Sequence, residues 1–211
     1  MTLDSIKNNH GRFTLRSSIP SPFSRKVRIA ADILGLGDRI DLINADTLDE
    51  SDSLRGQNPL GKIPCLLLPD GVAIYDSRVI VEFLQEVAGT NRLLPAHGMP
   101  RYLALTRAAL ADGIADAALL IVYESRFRPP EAKVERWVLH QRGKVMRGLA
   151  AFDAAPPDSG TIDIVSLGLG CALDYLDMRK PVEWRPTFPR LVDWLDRFAA
   201  SHPAFLQTRP N

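Results

Sequence analysis

The chain has 211 residues, of which 26 are Lys or Arg and 25 are Asp or Glu, so its formal net charge is +1. This length is enough for one large domain or two modest domains with hydrophobic cores. The balanced charge gives no reason to expect nucleic acid or an acidic membrane surface as a partner, and no apolar run approaches the roughly 20 residues of a membrane span. Because no apolar stretch follows a basic N-terminal region, we expect no signal peptide and a cytoplasmic protein.

The cysteines and histidines do not indicate a disulfide or a metal site. Cys65 and Cys171 lie far apart in apolar runs, so we predict that both are buried and reduced. No histidine shows the spacing of metal ligands, and we expect no metal. The four histidines are His10, His97, His140 and His202.

The N-terminal part of the chain predicts a strand followed by a well-capped helix. Residues 1–12 are polar and are predicted to form a loose extension, while residues 13–18 alternate as a strand does. Ser21-Pro22 has the pattern of an N-cap followed by proline at the first helical position. A helical apolar stripe ended by glycines comes next: Val27, Ala30, Ala31, Leu34, Gly35 and Gly37.

The segment Asn58–Leu84 predicts a turn, two strands and a helix in close succession. Ile63-Pro64 stands at the start of the first strand, where a missing amide donor does no harm. A tight turn, Pro69-Asp70-Gly71, separates the two strands. Asp76 or Ser77 then caps a helix, whose free N-terminal amides can bind a carboxylate. The apolar stripe predicted for this helix is Val79, Ile80, Phe83, Leu84 and Val87.

The second half of the chain predicts helices only. Residues 91–100 contain two prolines and a glycine and are predicted to link a domain of residues 13–90 to an all-helical domain of residues 101–211. The predicted helices run from about Arg101 to Ser125, from about Glu131 to Phe152, from Asp163 to about Met178, and onward from Pro189. Gly168 and Gly170 inside the third of these helices predict close backbone packing.

Three motifs resemble those of the glutathione transferases. They are SPFSRK at residues 21–26, the segment NPLGKIP with its later acid-serine pair, and LDYLDMR at residues 173–179. The resemblance covers about residues 12 to 205. It implies a thioredoxin-like α/β N-terminal domain followed by an all-α C-terminal domain, with a cis peptide bond before Pro64.

The resemblance implies that Ser21 activates the thiol of glutathione, with Ser18 as the second candidate. A hydroxyl that donates to a thiolate and a helix N-terminus both lower a thiol pKa. The segment is similar to serine-using classes of the theta and zeta type, and to omega-type enzymes in which a cysteine takes the place of Ser21. Since serine cannot form a mixed disulfide, the resemblance implies conjugation, or glutathione-dependent peroxide or ether chemistry, over thiol-transferase chemistry.

The same resemblance implies which residues bind glutathione. Ile63, before Pro64, would pair with the cysteinyl backbone. Asp76 would meet the γ-glutamyl ammonium, and Ser77 would meet the γ-glutamyl carboxylate. Lys62, with Arg55 behind it, is the candidate for the glycyl carboxylate, although Lys62 can equally be a solvated turn residue.

In the helical half, Tyr123, Arg126 and Phe127 are candidates for the electrophile pocket. Tyr123 and Phe127 are spaced i, i+4, so a simple stacked pair is the alternative. The third helix carries Asp163 and Ser166 at the two positions of a capping arrangement that is usual in the family, with the residue types exchanged. We interpret this pair as structural.

The resemblance therefore implies a homodimeric detoxification enzyme that activates glutathione for attack on a small hydrophobic electrophile. Its partners would be glutathione and that electrophile, with no metal, nucleic acid or membrane. Two alternatives remain open. One is a non-enzymatic binding or regulatory protein of the same fold, and the other is a glutathione-dependent reductase, isomerase or ether-cleaving enzyme.

Overall fold

The computed structural model describes residues 2–8 and 11–209. The chain forms two compact units that divide between Ala96 and His97, which is inside the segment predicted as a linker. His10 lies outside the described residues. No helix among the described residues is long and apolar enough to cross a membrane.

The first unit is built on a four-stranded sheet. Its strands are β1 (Phe13–Ser17), β2 (Ile40–Asn44), β3 (Cys65–Leu67) and β4 (Ala73–Ile74), in the order β2-β1-β3-β4. β1 and β2 are parallel, whereas β3 is antiparallel to both β1 and β4. The sequence did not predict β2, because Leu42 and Ile43 are about half exposed and the strand lacks alternating burial.

Four helices accompany this sheet: α1 (Leu3–Asn8), α2 (Pro22–Ile33), α3 (Leu54–Gln57) and α4 (Ser77–Val87). The prediction of a loose N-terminal extension is wrong for α1. Ile6 is buried, and the Lys7 ammonium donates to the Glu86 carboxylate at 2.7 Å, so α1 contacts α4.

The buried face of α4 differs from the predicted stripe. Ile80, Leu84 and Val87 are buried as expected, but Val79 is 50% exposed and Val81 is buried in its place. Ile80 and Leu84 define the centre of the buried face, and at 100° per residue Val79 falls outside it. Phe83 lies at the edge of this face, where its ring meets Phe13 edge to face at 6.1 Å.

The second unit is entirely helical. Its helices are α5 (Gly98–Phe127), α6 (Glu135–Ala154), α7 (Ile164–Arg179), α8 (Pro189–Ser201) and α9 (Pro203–Gln207). α6 begins four residues later than predicted, because a short 3-10 turn, Pro130–Ala132, comes first. The prolines there cannot donate helical hydrogen bonds. The sequence did not predict α9.

The helix α7 forms the core of the second unit. Thirteen of its sixteen residues are buried. A Cβ added at Gly168 would lie 3.3 Å from Ala111, and one at Gly170 would lie 2.9 Å from the Phe205 ring, which confirms the predicted close packing. Asp163 accepts from the Ser166 amide at 2.8 Å, while the Ser166 hydroxyl accepts from the Asp163 amide at 2.9 Å, so the exchanged cap is confirmed.

Both cysteines are buried and neither forms a disulfide, as predicted. Burial raises the pKa of the Cys65 thiol, and the nearby Arg16 guanidinium only partly opposes this effect. A buried thiol with a raised pKa is a poor nucleophile. Cys65 is therefore a core residue, even though it directly follows Pro64.

Candidate functional site

Ser21 caps the N-terminus of α2. Its backbone is extended, with φ −80° and ψ 119°, and its Oγ accepts from the Ser24 amide at 3.2 Å. The Ser21 amide donates to the Ser18 carbonyl at 3.2 Å, which closes the turn between β1 and α2. Both serines are half-buried. Among the described residues this hydroxyl donates to no acceptor, so its proton is available for a ligand.

The turn at Ser21 suits a negatively charged sulfur atom. The first amides of α2 have no partner inside the helix, and the helix dipole places partial positive charge at this end. Pro22 occupies the first helical position, where its missing amide costs nothing. A hydroxyl donor beside a helix N-terminus is an arrangement that stabilises a thiolate relative to a thiol.

The segment before β3 presents unpaired backbone. The Ile63-Pro64 peptide bond is cis, as the resemblance implied. Within the described ranges, the amide and carbonyl of Ile63 have no hydrogen-bond partner. Extended backbone of this kind can pair with the main chain of a bound peptide, as an added strand pairs with a sheet edge.

Asn58 supports this segment, although the sequence reasoning did not single it out. Its side chain is buried, and its Nδ2 donates to the Lys62 carbonyl at 2.8 Å. Its Oδ1 accepts from the Leu60 amide at 3.1 Å, and its carbonyl accepts from the Gly61 amide at 2.8 Å. Asn is a common turn-forming residue, and here it directly precedes Pro-Leu-Gly, so the sequence did contain a signal for this turn.

Asp76 and Ser77 form the N-terminus of α4. Asp76 is the N-cap, and its Oδ1 accepts from the Arg78 amide at 3.0 Å. The Asp76 side chain is exposed, whereas Ser77 is only 2% exposed. The Tyr75-Asp76 peptide bond is also cis. An exposed carboxylate beside a sheltered hydroxyl and free helix amides can hold the two charges of an amino-acid zwitterion.

Lys62 and Arg55 differ in their freedom to bind a ligand. The Lys62 side chain is exposed and forms no ion pair within the part of the chain that the structure describes. The Arg55 guanidinium donates to the Asp49 carbonyl, and more weakly to the Thr47 carbonyl at 3.4 Å. Lys62 is therefore the better candidate for an anionic group.

The three candidates in the second unit lie together at the end of α5. The rings of Tyr123 and Phe127 meet edge to face at 5.1 Å, and the Arg126 guanidinium lies 5.4 Å from the Tyr123 ring centroid. Tyr175 of α7 is a further member that the sequence reasoning missed. Burial is the main cause that raises the pKa of Tyr175 to about 12, while Arg179 and Arg126 act in the opposite direction.

The residue types and spacings do not favour a metal site. Among the described residues, no three His, Cys, Asp or Glu side chains cluster closely enough to hold a metal ion. The features gathered in the first unit are instead a hydroxyl at one helix N-terminus, unpaired backbone before Pro64, and an acid-serine pair at a second helix N-terminus. Groups of this kind can pair with the backbone and the charged ends of a small peptide.

Comparison with known proteins identifies the family to which these features belong. The family model for the N-terminal domain of glutathione S-transferase matches residues 20–87, and the model for the C-terminal domain matches residues 131–197. An uncharacterised GST-like protein of Escherichia coli K12, YibF, is 30% identical over 201 residues, which span 93% of this chain and 98% of that protein.

Solved structures agree with this result. A glutathione transferase family member from Pseudomonas fluorescens Pf-5, solved with bound glutathione, is 40% identical, with a TM-score of 0.88 over 94% of this chain and 99% of that one. Its structure with bound S-(propanoic acid)-glutathione gives a TM-score of 0.84 at 39% identity, over 94% of this chain and 100% of that one. The two units are therefore the thioredoxin-like and all-helical domains of this fold, and the chain belongs to the glutathione S-transferase family.

Proposed function

We propose that this protein is a glutathione transferase that ionises the thiol of bound glutathione and presents the thiolate to a small hydrophobic electrophile. The observation that carries the proposal is the Ser21 hydroxyl at the N-terminus of α2. Its oxygen accepts from the Ser24 amide, and its proton has no acceptor among the described residues, which leaves it available for a sulfur atom. A free thiol has a pKa of about 8.5, and each unit by which it falls corresponds to about 1.4 kcal/mol.

The binding assignments follow the family resemblance, and the exposed or unpaired groups of the first unit support them. In our proposal Asp76 pairs with the γ-glutamyl ammonium, and Ser77 with the α4 amides holds the γ-glutamyl carboxylate. Ile63, fixed by Pro64, pairs with the cysteinyl backbone, and Lys62 meets the glycyl carboxylate. The glutathione bound by the Pseudomonas fluorescens relative supports this choice of ligand.

The chemistry that we propose is attack of the thiolate on an electrophilic carbon. A C–S bond forms and the bond from that carbon to its leaving group breaks, so an aryl halide gives a thioether and a halide ion, while the thiol proton goes to solvent. Serine in place of cysteine at position 21 cannot form a mixed disulfide with glutathione, so disulfide exchange is not the favoured reaction. The Pseudomonas fluorescens relative binds S-(propanoic acid)-glutathione, which is glutathione with a substituted sulfur. That ligand supports conjugation as the reaction type.

We propose that Tyr123, Arg126 and Phe127 contact the electrophile. The edge-to-face rings of Tyr123 and Phe127 offer apolar surface, and Phe127 is 58% exposed. The Arg126 guanidinium has no carboxylate partner among the residues described here. An aromatic electrophile that also carries an anionic group would satisfy both kinds of side chain.

We also propose a homodimer, a cytoplasmic location and a role in detoxification, which the resemblance implied. Exposed apolar side chains support the first of these. At the start of α5, Met99, Tyr102 and Leu103 are each about 60% exposed, and Leu60 in the first unit is 70% exposed. Met99, Tyr102 and Leu103 are spaced i, i+3, i+4 on one helix, and an exposed apolar group of this kind is typical of a surface that a partner covers.

Retention on immobilised glutathione followed by an activity screen tests the proposed function. The screen uses an aryl halide, an organic peroxide, an aryl ether and a cis-alkene dicarboxylate, with Ser21→Ala as the matched control. We expect retention of both proteins and turnover of the aryl halide by the parent protein alone. Retention without any turnover would support the non-enzymatic alternative, and turnover of another substrate alone would support the matching enzyme class.

A further inference from the structure

Arg16 is a buried cation at the centre of the first unit's sheet. It belongs to β1 and is 5% exposed. Its Nη1 donates to Ser53 Oγ at 2.8 Å and to Gln57 Oε1 at 2.7 Å, and its Nη2 donates to Asp52 Oδ1 at 2.6 Å. All three partners lie at or next to α3, more than 35 residues away along the chain. Burying a guanidinium costs folding free energy unless hydrogen-bond partners of this kind surround it.

Asp52 extends this contact to the backbone around α3. Its Oδ1 also accepts from the Leu54 amide at 2.7 Å, and its Oδ2 accepts from the Asp46 amide at 2.8 Å. These backbone hydrogen bonds are the main cause that lowers the pKa of Asp52, and the Arg16 guanidinium acts in the same direction. The carboxylate therefore joins β1, the chain after β2, and the start of α3.

The far end of α3 leads directly to the candidate glutathione site. The Asn58 amide donates to the Leu54 carbonyl at 2.7 Å, and the Asn58 side chain donates to the Lys62 carbonyl at 2.8 Å. Gln57, which Arg16 holds, is the residue before Asn58. A continuous series of hydrogen bonds thus runs from the centre of the sheet to the backbone of Lys62.

Few apolar contacts fix α3. α3 has only four residues, and a helix that short has no stability of its own. Leu54 is its one buried residue, and it packs in a small cluster with Ala45 and Cys65. The remaining constraint comes from polar contacts, and Arg16 supplies three of them.

We propose that Arg16 is a positioning residue, which holds the segment 52–62 so that Lys62 can bind the glycyl carboxylate of glutathione. The proposal rests on the proposed function and names a residue outside the ligand contacts. It assigns Arg16 an effect on one end of the ligand only. The γ-glutamyl end would lie at Asp76 and Ser77, which belong to the N-terminus of α4 and not to the segment 52–62.

The ligand γ-glutamylcysteine, which lacks the glycine, separates this role from a general structural one. We compare calorimetric Kd values for glutathione and γ-glutamylcysteine in the parent protein and in Arg16→Lys, which keeps the charge but loses the planar fork. We expect Arg16→Lys to weaken glutathione binding about tenfold and to leave γ-glutamylcysteine binding unchanged, as loss of a charge-assisted contact would. Lys62→Ala should give the same selective loss, and the double variant should lose no more than Lys62→Ala does.

A milder variant keeps the test valid if Arg16→Lys does not fold. Gln57→Ala removes one of the three Arg16 contacts from a half-buried position. We expect a selective loss of about threefold for glutathione, since one hydrogen bond of several is removed. Equal losses for both ligands, or no loss for either, would overturn the positioning role. If the parent protein binds neither thiol, the proposed function fails, and the role of Arg16 fails with it.

Discussion

Ser77→Ala gives the sharpest test of the site at the N-terminus of α4. Ser77 is 2% exposed, so a carboxylate bound to its hydroxyl is sheltered from water. A hydrogen bond to a charged group contributes about 1.5–3 kcal/mol, and 1.4 kcal/mol is a factor of ten in Kd. We therefore expect Ser77→Ala to raise the Kd for glutathione by about 10- to 150-fold.

The neighbouring Asp76 should contribute less. Its side chain is exposed, and an exposed ion pair contributes about 1 kcal/mol or less. Because Asp76 also caps α4 through the Arg78 amide, Asp76→Ala would lose stability as well as charge. Asp76→Asn keeps a good capping side chain and removes only the charge, so we expect a Kd about fivefold higher.

Titration calorimetry with glutathione measures both effects, and thermal melts verify that the variants are folded. Ser5→Ala is a matched control, because Ser5 is an exposed serine of α1 whose hydroxyl donates to the Thr2 carbonyl. We expect its Kd to equal that of the parent protein. Folded Ser77→Ala and Asp76→Asn proteins that bind glutathione within twofold of the parent would refute the assignment.

Three further predictions concern stability and assembly. Asp163→Ala removes the side chain that accepts from the Val165 and Ser166 amides. It should lower the free energy of unfolding by about 1–2 kcal/mol in denaturant titrations, and an unchanged unfolding midpoint would contradict the capping role. Gln141 is fully buried, and neither the nitrogen nor the oxygen of its side-chain amide has a hydrogen-bond partner among the described residues. Gln141→Met should therefore raise the free energy of unfolding by about 1–3 kcal/mol, and a loss of stability would count against this interpretation. Light scattering at micromolar concentration should give the mass of a dimer, and a monomeric mass would contradict the proposed assembly.

Local signals in the sequence predicted much of the first unit. Ser21-Pro22 predicted a capped helix, and Asp76-Ser77 predicted another, because capping depends on residues within one turn of each other. The same holds for Asp163 and Ser166 in the second unit. These elements lie where they were predicted, whereas the roles of Ser21, Asp76 and Ser77 toward glutathione stay predictions.

What the sequence could not predict depends on distant contacts. Three hydrogen bonds of Arg16 span more than 35 residues, so no local pattern marks it. On α4, Val81 is buried where Val79 was predicted to be. The direction in which this helix packs on its neighbours decides between the two, and the spacing of apolar residues alone does not determine that direction. β2 was missed because it is an edge strand whose burial does not alternate along the chain.

The measurement that tests the central claim most directly is the pKa of the bound glutathione thiol. The thiolate absorbs in the ultraviolet, so a pH titration of the complex measures this pKa. We expect a value at least about one unit below the 8.5 of a free thiol in the parent protein and a return toward 8.5 in Ser21→Ala with Kd nearly unchanged. A bound thiol with the pKa of free glutathione would contradict thiol activation, and a rise in Ser18→Ala alone would identify Ser18 as the catalytic hydroxyl in place of Ser21.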